Sequence, residues 1–129
     1  MKKVLKNSTM VDMLMQLKPL LSHRDKIGYA AARNHRRLAE CLTEYERFRN
    51  GLIEKYGEHE KDGDGNELPA ISLSTTSPNF KMFLEELAPY NEMEHEVEIM
   101  TLPYSEAIGV LSGEEILAVD WMLVDEDAT

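Results

Sequence analysis

Four histidines, a single cysteine, an Asp/Gly-rich run and two clusters of like charge are the residues of this chain whose types could do chemistry. Metal ligation calls for imidazoles one helical turn apart, or a close Cys/His pair. His23, His35, His59 and His95 stand at neither spacing. His95, between Glu94 and Glu96, is the best placed to act as a ligand or base. Along a strand successive side chains alternate, so those glutamates would point away from it. His95 therefore reads as a partly buried structural residue. Cys41 is the only cysteine, which excludes an intramolecular disulfide and a cysteine-based zinc site. It falls in an apolar helical stripe, where a thiol serves as a small core residue.

The run Asp62-Gly63-Asp64-Gly65-Asn66-Glu67 has the composition of a calcium loop but not its register. Counted from Asp62, position six is Glu67 and position twelve is Leu73; counted from Glu60, Gly65 is in place but position twelve is Ile71. A calcium loop needs Gly at the sixth position and a bidentate Glu at the twelfth, so the run reads as a turn. Ser72, Ser74 and Ser77 lack the strand-to-helix elbow of a serine nucleophile. The glycines follow no phosphate-cradling pattern. The expectation is a protein without catalysis, cofactor or metal.

What remains is binding. The chain carries a net charge of −10, divided unevenly: 12 Lys/Arg face 6 Asp/Glu in residues 1–56, and 2 face 18 in residues 57–129. Such a division serves either internal neutralisation or the display of an acidic surface to a basic partner. Glu94, Glu96 and Glu98 form a comb on one side of an alternating segment, and Glu114 and Glu115 follow. These five are the candidate partner contacts. Arg33, Arg36 and Arg37 form a basic cluster, the alternative site. Glu40 lies four residues after Arg36, within reach of it, and Glu44 lies three before Arg47, as on any solvated helix. With no aromatic residues interleaved for base stacking, direct nucleic-acid binding is not expected.

The elements that must carry these groups are mostly helical. Met10, Met13, Leu14 and Leu17 give one apolar face over residues 9–17, closed by Pro19. Ser22 with Asp25 opens a long helix, which Gly57 ends in a left-handed cap. Its seam of Ile27, Ala31, Asn34, Leu38, Cys41, Tyr45, Phe48 and Leu52 alternates four- and three-residue steps. Leu38, Tyr45, Phe48 and Leu52 are the candidate interface if that seam pairs with a second copy. Asn34 is the polar break that would fix its register.

Residues 58–69 read as a flexible polar loop, and Ile71 and Leu73 as a short strand. Ser77-Pro78 opens a helix through Phe80, Phe83, Leu84 and Leu87 that stops before Pro89. Residues 93–102 alternate as a strand. Ser112 and Glu115 make a capping box, with Leu111 and Ile116 as its staple. The apolar run from Ile116 to Val124 then reads as a helix buried on nearly all sides, with a frayed acidic tail at Asp125-Glu126-Asp127. The expected fold is α+β, a helix-dominated single domain over 1–129: one long helix, two or three shorter ones and a small antiparallel strand pair. No apolar run reaches the roughly 20 residues of a membrane helix, so a cytoplasmic location is expected.

Several stretches together resemble a family of small proteins from tailed phages (siphovirus type) of Gram-positive bacteria. They are Ile27-Gly28-Tyr29-Ala30-Ala31-Ala32-Arg33-Asn34, Glu44-Tyr45-Glu46, Arg49, and Leu52-Ile53-Glu54-Lys55-Tyr56-Gly57. Further on come Asp64-Gly65-Asn66, Phe83, Glu96-Val97-Glu98-Ile99, Leu111-Ser112-Gly113-Glu114-Glu115-Ile116-Leu117 and Trp121-Met122. The resemblance implies a phage or prophage product acting in the cytoplasm of a bacterial host. It attaches no activity, so no functional residue carries over. With that origin, the acidic half suits an inhibitor of a host nucleic-acid or defence enzyme, of the anti-CRISPR kind. The alternatives are a virion component or assembly chaperone that dimerises through the helix seam, and a small regulator touching nucleic acid through the three arginines.

Overall fold

The computed structural model describes residues 1–125. It is an α+β structure dominated by helix, with small antiparallel strand pairs. The chain divides into two compact units, one formed by residues 1–42 with the segment from Glu94 onward, the other by Thr43–Met93.

In the first unit, strand β1 (Lys2–Lys6) leads directly into α1 (Asn7–Leu17), followed by a 3₁₀ turn at Lys18–Leu20 and α2 (Lys26–Cys41). Met10, Met13 and Leu17 are buried along α1, as their spacing requires. Asp25, not Ser22, caps α2: its carboxylate accepts from the N–H groups of Ile27 and Gly28. A Cβ on Gly28 would stand 1.9 Å from the His23 carbonyl oxygen, so only glycine permits this entry. Ile27, Ala30, Ala31, Asn34 and Leu38 make the buried face of α2. Each large apolar side chain so buried is worth about 1.5–3 kcal/mol.

Strand β4 (Glu94–Glu98) pairs antiparallel with β1, in the register Lys2↔Glu98, Val4↔Glu96 and Lys6↔Glu94. Asn34 fastens the next residues to α2. Its side-chain amide donates to the Met100 carbonyl at 3.0 Å, and its carbonyl oxygen accepts from the Met100 N–H at 2.8 Å. The polar break in the seam thus ties α2 to the residues that follow β4 in the same chain.

The C-terminal run departs from expectation. Helix α5 (Gly113–Ala118) keeps the capping box but ends at Val119, whose φ of −111° and ψ of 22° leave the helical region. Leu117 is 79% exposed. A 3₁₀ turn at Asp120–Met122 leads into β6 (Leu123–Val124), which lies parallel to β5 (Leu102–Pro103). Val119, Met122 and Leu123 are buried by this turn and strand rather than by a longer helix, and the Trp121 indole donates to Gln16. Glu126 and Asp127, part of the expected tail, lie outside the described residues.

The second unit begins where the expected long helix breaks. Leu42, with a φ of −88° and a ψ of −2°, caps α2 as a turn residue between Cys41 and Thr43, both low in helix propensity. Helix α3 (Thr43–Tyr56) follows, then strands β2 (Glu58–Lys61) and β3 (Glu67–Ser72) and helix α4 (Phe80–Asn91). Tyr45, Leu52, Phe83 and Leu87 are buried between α3 and α4. The Phe48 and Tyr90 rings meet at 4.0 Å, and the Tyr45 hydroxyl donates to Asn91. Pro89 does not stop α4; it sits in the last turn. Gly57 is not left-handed. It is needed because a Cβ there would lie 2.5 Å from the Ile53 oxygen and 2.6 Å from that of Ser72.

Residues 58–69, expected as one loop, instead hold β2, a tight turn and the start of β3. The Asp62 carboxylate builds the turn by accepting from the N–H groups of Asp64 and Asn66, each at 2.9 Å. Gly65 takes a φ of +82° there, a conformation that glycine adopts without steric cost.

Candidate functional site

The acidic comb of β4 is assembled as its spacing suggests but is not a free acidic surface. Glu94, Glu96 and Glu98 share the exposed side of the β1–β4 pair with Lys6, Val4 and Lys2. Lys2 Nζ stands 3.5 Å from Glu96, and the N-terminal amine 3.0 Å from Glu98. That amine, with Lys2 and Arg37 nearby, holds the Glu98 carboxyl below its usual range. His95 is exposed on the other side of the strand, opposite Leu5. Glu114 and Glu115 sit on α5, where Glu115 is committed to the cap and accepts from the Ser112 N–H. That bond keeps its carboxyl low.

The count by unit explains this. Residues 1–42 hold nine Lys/Arg against three Asp/Glu, and residues 94–129 hold none against ten. The basic and acidic segments of the first unit therefore face each other, a further contact being Lys26 to Glu106 at 3.2 Å. The second unit has five Lys/Arg against eleven Asp/Glu, with no segment to balance it.

That surplus gathers on the β2–β3 hairpin. Glu58, Glu60, Asp62, Asp64 and Glu67 are all exposed, and among the described residues none of them is in an ion pair. Lys61, opposite Glu67, is the hairpin's one cation. The carboxyl of Asp62 is held low by the N–H groups of Asn66 and Asp64, so it stays ionised while it shapes the turn. A depression of about 310 Å³ runs beside the hairpin, lined by Glu58, His59 and the hydroxyl-bearing segment Ser72–Ser77. Sequence reasoning passed over these carboxylates because Glu-His-Glu-Lys shows no apolar alternation. The Asp-Gly turn signal flanked by Ile71 could have found them.

The helix seam is occupied by the protein's own packing: Leu38, Tyr45 and Leu52 are buried, and Phe48 is 36% exposed. Arg33, Arg36 and Arg37 do share one face of α2, with Arg36 on Glu40 at 3.3 Å. Cys41 is a free, half-buried thiol. No group of three or more His, Cys, Asp or Glu among the described residues is placed to hold a metal ion. No helix among them is long and apolar enough to cross a membrane.

Comparison of the chain with protein-family models, curated proteins and solved structures finds no match.

Proposed function

We propose that this chain is a phage-encoded, non-catalytic binding protein that works in the cytoplasm of a bacterial host. Its acidic hairpin docks on a basic surface of a host nucleic-acid or defence enzyme, inhibiting it in the anti-CRISPR manner. The resemblance to siphovirus proteins supports the origin. The observation that carries the mode of action is the exposed, ion-unpaired carboxylate set of β2–β3, in contrast with β4, where Glu96 and Glu98 are in ion pairs and Glu94 lies opposite Lys6. Such a set matches a channel built for phosphates, steers encounter from a distance and fixes orientation. The contacts accordingly move from Glu94, Glu96 and Glu98 to Glu58, Glu60 and Asp64.

Affinity capture with the tagged protein, from host cells before and during infection, tests this. The expected catch is a host nucleic-acid enzyme in both samples, released by moderate salt and lost with Glu58→Lys/Glu60→Lys/Asp64→Lys. Capture of phage head or tail proteins alone, or capture indifferent to the three reversals, would overturn it.

A further inference from the structure

Independently of that reading, the geometry points to a second site: the groove between α2 and residues 98–101 binds the backbone of single-stranded nucleic acid. The groove encloses about 410 Å³ and is lined by Tyr29, Arg33, Arg37, Glu98 and Thr101 among others. Its cations are not neutralised in the way those of the β1–β4 face are. Arg33 donates to the Tyr29 hydroxyl at 3.1 Å and Arg37 to the Glu98 main-chain carbonyl at 2.8 Å, both neutral oxygens, although the Arg37 charge also lies near the Glu98 carboxylate. A guanidinium has five N–H donors, so each keeps its charge and most of its donors for a ligand. Arg36 differs, since its partner is the Glu40 carboxylate. The carboxylate lining the groove, that of Glu98, is taken by the N-terminal amine at 3.0 Å.

Two further features select the ligand. Arg33 and Arg37 stand one helical turn apart, which puts their Cβ atoms about 5–6 Å from each other, a spacing that two guanidiniums can span along a phosphodiester chain. Tyr29 is 57% exposed and sits under the Arg33 guanidinium, 5.8 Å from its ring centroid. It supplies the aromatic face that the linear sequence does not show beside the arginines, because it lies four residues earlier and only the helix brings it alongside. An unstacked base can lie on that ring, and a base within a duplex cannot. The floor is rigid, since both main-chain polar groups of Met100 are held by Asn34.

The test is fluorescence anisotropy with labelled oligo-dT and oligo-rU of about 15 nucleotides, and a duplex of the same length. With a net charge of −10, the expected Kd is on the order of 10–100 µM at low salt. Either single strand, or both, is expected to bind at least about fivefold more tightly than the duplex. Arg33→Ala decides the matter, because Arg33 is exposed and its hydrogen bond goes to the Tyr29 side chain, so its loss should leave the melting temperature unchanged. It is expected to weaken binding about fivefold and flatten the log–log salt slope by roughly 0.7. Tyr29→Ala weakens binding and Tyr29→Phe retains it. Absence of binding to both single strands at low salt, equal binding of the duplex, or indifference to Arg33→Ala would each overturn the proposal.

Discussion

Across β1 and β4, Lys2 lies opposite Glu98 and Lys6 opposite Glu94, with the N-terminal amine on the Glu98 carboxylate. Across β2 and β3, Glu58 lies opposite Ser72, His59 opposite Ile71, and only Lys61 meets a carboxylate residue. Both are two-stranded antiparallel pairs rich in glutamate, yet one is electrically closed and the other open. Charge on a strand therefore says little until its partner strand is known. The imbalance between the halves of the sequence is mostly answered within the first unit. The first unit keeps nine Lys/Arg against thirteen Asp/Glu and the second five against eleven, so the second carries the larger surplus.

The largest effect should come from the clamp that ties the closed pair to α2. Asn34→Ala removes both hydrogen bonds to Met100 from a fully buried side chain and strands both main-chain groups of that residue. A loss of about 2–4 kcal/mol is expected in urea denaturation. A loss below about 1 kcal/mol would mean that the residues after β4 keep their place without Asn34.

Next comes the junction that launches the open hairpin. Gly57→Ala sets a Cβ against two main-chain oxygens and should cost about 1–3 kcal/mol. The same denaturation series measures it. A neutral result would mean that β2 leaves the end of α3 along a different path.

Acid should produce a smaller, graded effect in both units. Glu98 is held low by the N-terminal amine, and Glu86 by the Tyr56 hydroxyl first and by Lys55 second. A carboxyl whose folded pKa is depressed adds stability that is fully present above its unfolded pKa, near 4 to 4.5, and is lost as pH falls through the folded value. The urea midpoint should thus stay level from about pH 7 to 5 and drop below about pH 4. Glu98→Gln and Glu86→Gln should each shallow that drop; if neither does, these ion pairs do not set the acid limit.

Much of the helical architecture was legible because period and caps agree there: the Met10, Met13, Leu17 face, the α2 stripe and the Ser112–Glu115 box all appear as read. What escaped depends on partners distant in sequence. Lys2–Lys6 becomes a strand only because residues some ninety positions later lie beside it. Glu58–Lys61 has no apolar alternation to betray it, and is ordered by pairing with β3 across the Asp62 turn. The run Ile116–Val124 is apolar enough for a buried helix, but Leu123 and Val124 pair instead with Leu102 and Pro103, some twenty residues earlier. Among the candidate contacts, the comb itself was readable and its neutralisation was not. The Tyr29 face escaped because it lies four residues before Arg33, and only the helix brings the two side chains together.

The contrast between the closed and open pairs is tested most directly without any partner, by reversing three charges on each. Glu94→Lys/Glu96→Lys/Glu98→Lys sets lysines against Lys2, Lys6 and the N-terminal amine, whereas Glu58→Lys/Glu60→Lys/Asp64→Lys relieves repulsion within the hairpin. At low salt the first should lower the urea midpoint, since like charges directly opposite are destabilising, and the second should leave it unchanged or raise it. Equal losses in both, or a loss confined to the hairpin, would contradict the distinction between a closed and an open pair.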